Sequence, residues 1–153
     1  VTLIGATVNN AGQIVTPGGT AALVAGDKVT VNLGLTGLVS VDVAAGSDAA
    51  RVDNSGLVAA DAGKVLLTAK SAAPMLAAAV NQGGTVRADS IASRNGEVWI
   101  EARGGDARLA GTTQAAGSGA GQTGGRIVAT GDTVTLASGS LTDASGAASS
   151  VRR

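Results

Sequence analysis

The sequence predicts an all-β solenoid, a stack of coils each built from several short strands, and three observations carry that expectation. A glycine-centred segment recurs along the chain, alternating apolar runs follow a second set of glycines, and no regular helical pattern separates one run from the next. The segment is clearest at Val8-Asn9-Asn10-Ala11-Gly12-Gln13-Ile14, Val52-Asp53-Asn54-Ser55-Gly56-Leu57-Val58 and Val80-Asn81-Gln82-Gly83-Gly84-Thr85-Val86. Each reads Val, Asn or Asp, Asn or Gln, any residue, Gly, any residue, aliphatic. Weaker copies continue at Leu109-Ala110-Gly111 and Ala137-Ser138-Gly139-Ser140-Leu141, so glycines fall at 12, 56, 84, 111 and 139, with gaps of 44, 28, 27 and 28. Reading the first gap as two coils of 22, with Gly34 midway, gives coils of 22 to 28 residues.

The second set of glycines opens the strands. Gly19-Thr20-Ala21-Ala22-Leu23-Val24, Gly63-Lys64-Val65-Leu66-Leu67-Thr68, Gly96-Glu97-Val98-Trp99-Ile100 and Gly125-Arg126-Ile127-Val128 are strand signals, with further strands at Lys28 to Leu33, Leu38 to Val43 and Thr133 to Ala137. Without intervening helices a βαβ architecture is excluded. A hairpin sandwich remains the alternative, but it does not require turn glycines in phase. Ser71-Ala72-Ala73-Pro74-Met75-Leu76-Ala77-Ala78-Ala79 departs from the pattern: good helix formers follow Ser and Pro, which predicts a short helical insertion near 72–79, packed outside the coil through Met75 and Leu76. Gly104-Gly105-Asp106 and Gly117-Ser118-Gly119-Ala120-Gly121 read as flexible turn insertions.

Composition sets the kind of core. Hydrophobic residues make up 44% of the chain, but Trp99 is its one aromatic, so the interior has to be stacked ladders of Val, Leu, Ile and Ala, with Leu66 and Ile100 pointing inward. Asn9, Asn10, Asn54 and Asn81 recur at equivalent positions, which suggests side-chain amides bonded from coil to coil. Eleven basic and eleven acidic residues cancel, so the electrostatic footprint of a nucleic-acid binder is missing. Cysteine is absent, which excludes disulfides and thiolate metal sites. The longest apolar stretch, Ala72 to Val80, is far short of the roughly 20 residues of a membrane-spanning helix. Val1 begins no signal peptide, so the chain reads as a fragment of a longer one, a single segment over 1–153 with well-formed coils over 1–103 and Gly-rich degenerate coils over 104–153.

These residues resemble filamentous haemagglutinin-like exoproteins of two-partner secretion, specifically the C-terminal part of the secretion domain and the repeats after it. The likeness runs through Val1-Thr2-Leu3-Ile4-Gly5, Val8 to Gly12, Pro17-Gly18-Gly19-Thr20 and Leu23-Val24-Ala25-Gly26-Asp27, then through Val52 to Gly56, Ala62 to Lys70, the alanine-rich stretch and Val80-Asn81. It covers residues 1 to 103, and the remainder only in composition. The resemblance implies a right-handed parallel β-helix, export through an outer-membrane transporter partner, and adhesion at the surface of a Gram-negative bacterium to a host or neighbouring-cell receptor or glycan. The Asn-Pro-Asn-Gly segment typical of that family's secretion signal is missing here.

Little in the sequence points to chemistry. Gly119-Ala120-Gly121-Gln122-Thr123-Gly124 satisfies the dinucleotide fingerprint, with Asp143 downstream, but a strand-like run follows it where a helix N-terminus is needed. Arg103-Gly104-Gly105-Asp106 has one glycine too many for an Arg-Gly-Asp turn, and calcium-binding repeats are lacking. With no His, a serine triad has no base. Asp42, Asp48, Asp53 and Asp61 are the carboxylates that a carbohydrate-active β-helix enzyme would use, though Asp is also favoured in turns. Lys28, Lys64 and Lys70 fall beside strand ends or turns, where solvent surrounds them. No catalytic, cofactor or metal residue is assigned. The reading is a structural and adhesive segment without chemistry, whose longest irregular surface, Arg103 to Gly125, presents Arg108 and Gln114 to a partner. The alternatives are the enzyme and an extracellular filament subunit with end-to-end self-association.

Overall fold

The computed structural model describes residues 1–33, 39–72 and 78–148. Seventeen strands and no helix are found among them. Fifteen strands form three parallel five-stranded sheets, and each sheet takes every third strand of the winding chain. Sheet A holds β1 (Thr2–Gly5), β4 (Thr20–Ala25), β9 (Lys64–Lys70), β12 (Glu97–Arg103) and β15 (Arg126–Thr130). Sheet B holds β2 (Thr7–Asn10), β7 (Arg51–Asn54), β10 (Ala78–Gln82), β13 (Gly105–Leu109) and β16 (Thr133–Leu136). Sheet C holds β3 (Gln13–Val15), β8 (Leu57–Ala59), β11 (Thr85–Arg87), β14 (Thr112–Gln114) and β17 (Leu141–Asp143). One strand of each sheet makes a coil, and five coils stack, which is the topology of a solenoid.

Equivalent positions line up as columns. Val8, Val52, Val80, Ala107 and Val134 are successive partners in sheet B, and Leu3, Leu23, Leu67, Ile100 and Ala129 in sheet A. Because strand side chains alternate between faces, only one set in each strand enters the coil. Leu23, Leu67, Val80, Val98 and Ile100 are fully buried in one continuous interior cluster. Aliphatic and alanine side chains fill it from coil to coil, each Leu or Ile contributing about 1.5–3 kcal/mol by burial.

Leu66 and Ile100 are not on the same face. Ile100 lies in the interior and pairs with Leu67, whereas Leu66 pairs with Trp99 and points outward. Leu66 is nonetheless 6% exposed, because a second layer covers it. That layer is the antiparallel hairpin of β5 (Lys28–Leu33) and β6 (Val39–Ala45), whose Val29, Val41 and Val43 pack on Ala22, Val24, Leu66 and Trp99. The hairpin leaves the second coil between β4 and β7. The 44-residue gap from Gly12 to Gly56 is therefore one coil with an inserted hairpin, not two coils of 22. Gly34 itself lies outside the described residues.

The helical insertion predicted near 72–79 is corrected in part. Ala72 sits in a bend and Ala79 in β10, while Ala73 to Ala77, with Met75 and Leu76, lie outside the described residues. Helix propensity at Ala79 is overridden by a parallel ladder on both sides, to Arg51 and to Asp106. Nor are Gly104 and Gly105 a loop insertion. Gly104 alone turns the corner, at φ 75°, and Gly105 already begins β13.

A buried amide ladder runs beside the aliphatic columns. Asn10 Nδ2 donates to Asn54 Oδ1 at 2.8 Å, Asn54 Nδ2 to Gln82 Oε1 at 2.7 Å, and Gln82 Nε2 to the carbonyls of Gly84 and Thr112. Asn10 and Asn54 thus stack as expected, but the third rung is Gln82. Asn9 and Asn81 belong to the neighbouring outward column with Asp53, and Asn81 Nδ2 bonds Asp53 Oδ1 at 2.8 Å. In the fourth coil Leu109 takes the place of Gln82, and the ladder ends.

Candidate functional site

Trp99 occupies an outward position of β12, between Leu66 of β9 and Val128 of β15. Two positions earlier on the same face, Lys64, Glu97 and Arg126 stand side by side across the three strands. Parallel register then places a cation beside the ring from each neighbouring coil. Lys64 Nζ lies 5.2 Å and Arg126 Cζ 5.0 Å from the ring centroid, within the range of cation–π attraction. The indole Nε1–H donates to Glu97 Oε2 at 3.1 Å and fixes the ring's tilt.

The hairpin makes one wall of a groove over this ring. A cleft of about 160 Å³ is lined by Ser40 and Val41 of the hairpin with Lys64, Leu66, Trp99, Glu101 and Arg103 of sheet A. A second cleft of about 360 Å³ continues past Lys64 to Gly18, Asn95, Glu97 and Arg94. Arg103 is paired with Glu101 at 2.9 Å, but among the described residues Lys64, Arg94 and Arg126 have no ion-pair partner. The two clefts share Lys64 and together hold an aromatic ring, the unpaired cations Lys64 and Arg94, the carboxylates Glu97 and Glu101 and neutral hydrogen-bonding groups, a set suited to a polar ligand. Lys70 sets the wall's position, donating to the carbonyls of Val43 at 2.8 Å and Ala44 at 3.1 Å.

The carboxylates proposed for an enzyme do not converge. Asp42 is exposed on the hairpin and Asp48 on the turn after it, while Asp53 faces out from sheet B and Asp61 follows β8. Asp61 is held by Arg87, whose guanidinium bonds both of its oxygens, and itself accepts the Asp89 N–H at 3.1 Å. Asp89 repeats the role one coil on, accepting the Ala116 N–H at 2.9 Å. Burial pushes the Asp89 carboxyl up, reinforced by the nearby Asp61 charge and opposed by the Ala116 N–H. These aspartates cap corners, and among the described residues no three metal-ligating side chains form a cluster.

Asp53 behaves in the opposite sense. Burial alone would raise it, but hydrogen bonds from Arg51 and Asn81 outweigh that and hold it below the ordinary carboxylate value of 3.8. A depressed native pKa contributes stability that is present above 3.8 and lost as pH falls through the lower native value. An Asp53→Asn chain should therefore lose less stability than the parent between about pH 5 and about pH 2, as read from urea midpoints. Parallel acid profiles for the two chains would contradict the assignment.

Arg108 and Gln114 do not form one surface. Arg108 is exposed on sheet B, whereas Gln114 lies on sheet C with its amide donating to Asp89 at 3.3 Å. The glycine run before β15 is anchored: Gln122 Oε1 accepts the Gly119 N–H at 3.2 Å, and its Nε2 donates to the Ala92 carbonyl at 2.8 Å. A strand, not a helix, follows Gly124, so the fingerprint spacing has no phosphate-binding helix behind it. The groove at Trp99 was readable in part. Thr20 to Ala25 and Val65 to Ala69 are buried without alternation, and a strand buried on both faces needs a second layer over it.

Among the described residues no helix is long and apolar enough to cross a membrane. No family model matches the chain, and no curated protein is similar to it.

Proposed function

We propose that the chain is a structural and adhesive segment of a secreted or cell-surface bacterial fibre, a right-handed β-helix exported by a two-partner system through an outer-membrane transporter. The observation that carries the adhesive part is the Trp99 groove. The interior is packed coil after coil with aliphatic and alanine side chains, while the single aromatic side chain stands outside between two cations. A half-buried aromatic flanked by charge and walled by a hairpin is a contact surface for a host or neighbouring-cell receptor or glycan. The resemblance to filamentous haemagglutinin-like proteins supports the secretion route and the handedness.

Beads coated with the purified chain should adhere to target cells, and Trp99→Ala combined with Arg126→Glu should remove most of that adhesion while leaving the far-ultraviolet circular dichroism unchanged. Trp99 is the only aromatic residue, so the chain's intrinsic fluorescence reports the groove alone. A soluble glycan that blocks adhesion should also shift that emission. Equal adhesion by parent and variant beads would remove the groove from the proposal, and beads that never adhere would remove adhesion itself.

A further inference from the structure

We propose that the free edge of the hairpin strand β6 takes up an extended segment of a partner protein, which adds a third strand to the hairpin and lies over Trp99. The proposal rests on the adhesive reading of the groove and names the kind of partner that the groove takes.

The backbone of β6 shows where such a segment pairs. Polar groups on an antiparallel strand point alternately toward its neighbour and away from it, residue by residue. Val39 points away from β5, because its N–H donates to Thr20 Oγ1 at 3.3 Å, and so does Val43, because its carbonyl accepts from Lys70 Nζ at 2.8 Å. Val41, midway between them, follows the same alternation, and the register shift of the hairpin lies beyond this stretch, at Lys28/Val29. Thr20 and Lys70 thus close the two ends of the edge. Between them the Val39 carbonyl, the Val41 N–H and carbonyl and the Val43 N–H have no partner among the described residues. These are the groups that an added strand bonds, and an edge left open is a template for one.

The setting favours a polypeptide. Of the hairpin's two edges, this one borders the smaller cleft, which Ser40 and Val41 line together with Leu66 and Trp99. A strand bonded to β6 sits about 4.8 Å farther on, above β12, where the hairpin's own two strands leave Trp99 half-buried. A sugar stacking on the indole needs an open ring face, but Lys64 of the coil before and Arg126 of the coil after both lie over the ring. A strand needs no such face, since main-chain bonds give its affinity and alternate side chains its specificity.

Sheet register selects the side chains that fit. Thr20 is level with Lys64 and Lys70 with Arg103, so the open edge runs from the Lys64 end of the cleft to the Arg103 end. The residue opposite Val41 turns its side chain down onto Leu66 and Trp99, and is apolar. The one opposite Val39 approaches Lys64, which has no ion-pair partner among the described residues, and is acidic. At the far end Arg103 is already paired with Glu101, and Glu97 is engaged by the indole N–H.

The probe is a soluble peptide with a central valine, threonines beside it and a glutamate at one end. Added to the purified chain, it should shift Trp99 emission and slow hydrogen exchange at the Val41 amide. Methylating the alternate peptide amides that face β6 should weaken binding about tenfold or more, and methylating the other set should not. Val41→Pro removes an N–H that the hairpin does not use, at an edge position where proline is tolerated. That chain should keep the parent's circular dichroism and unliganded emission, and lose the peptide. On beads it should also lose adhesion to target cells, and stripping proteins from the cells should have the same effect. A peptide that fails to bind, that binds equally with either set methylated, or that leaves Val41 exchange unchanged would overturn the proposal. Val41→Pro beads that adhere like the parent, when Trp99→Ala with Arg126→Glu beads do not, would remove the strand edge and leave the adhesive groove standing. Adhesion lost only when cell-surface glycans are stripped would make the partner a glycan and would also overturn it.

Discussion

Aspartate in place of Leu67 is expected to abolish folding of the coil stack, at a cost of more than about 5 kcal/mol, since truncating a buried leucine alone costs about 2–5 kcal/mol and the carboxylate adds an unpaired buried charge. Leu67 is fully buried between Leu23 and Ile100. Aspartate at Leu66, one residue earlier, is expected to act differently. It disturbs only the layer beneath the hairpin, so the hairpin should lift and the coils should remain. Urea unfolding followed by circular dichroism separates the two, and Trp99 emission reports hairpin release in the Leu66→Asp chain. Equal collapse of both variants would show that the two faces of β9 are one cooperative core.

Gly84→Ala is the second large effect. The added methyl would lie 2.2 Å from the Gly56 carbonyl oxygen and 2.6 Å from the Ser55 carbonyl carbon. Both are backbone atoms fixed by ladders on either side, so the coils must separate locally, and a loss of about 3 kcal/mol is expected. Gly83→Ala is the internal control. Its nearest neighbour is the Asn54 carbonyl oxygen at 3.7 Å, an ordinary contact, and its effect should stay within about 0.5 kcal/mol. Thermal melts of the two chains should differ clearly. Similar midpoints would mean that the corners are not packed as closely as the column requires.

The coil columns were legible because the same chemistry is needed at each level. Val8, Val52 and Val80 with Gly12, Gly56 and Gly84 announce the corner between sheets B and C, and the structure stacks them in that register. The hairpin was harder to read, because its strands carry the same period-two signal as the coil strands, and nothing local distinguishes a strand that joins a sheet from one that covers it. The same ambiguity reversed Leu66: Val65-Leu66-Leu67 has no polar residue to mark the outer face, and the covering hairpin is what permits leucine there. The Trp99 groove depends on residues from three coils and the hairpin, a juxtaposition that only the stacked register creates. Of the four aspartates read as turn formers, Asp48 and Asp61 sit in turns but Asp42 and Asp53 lie in strands; Asp53 pairs with Arg51 along one strand, and Asp61 with Arg87 of the next coil.

The stacking direction also bears on how the molecule carries load. The bonds that hold coil to coil lie along the solenoid axis, and the first and last described residues belong to opposite ends of the stack. Tension applied between those ends therefore opens one coil edge at a time, instead of shearing a whole sheet at once. From the third coil to the fifth, each release frees the residues between Val80 and Ala107, or between Ala107 and Val134, in one step. At about 3.4 Å per extended residue, each step adds on the order of 90 Å of contour length. Arranged in series, such coils would yield at low force and lengthen in even increments, the behaviour of a shock absorber and not of a rigid rod.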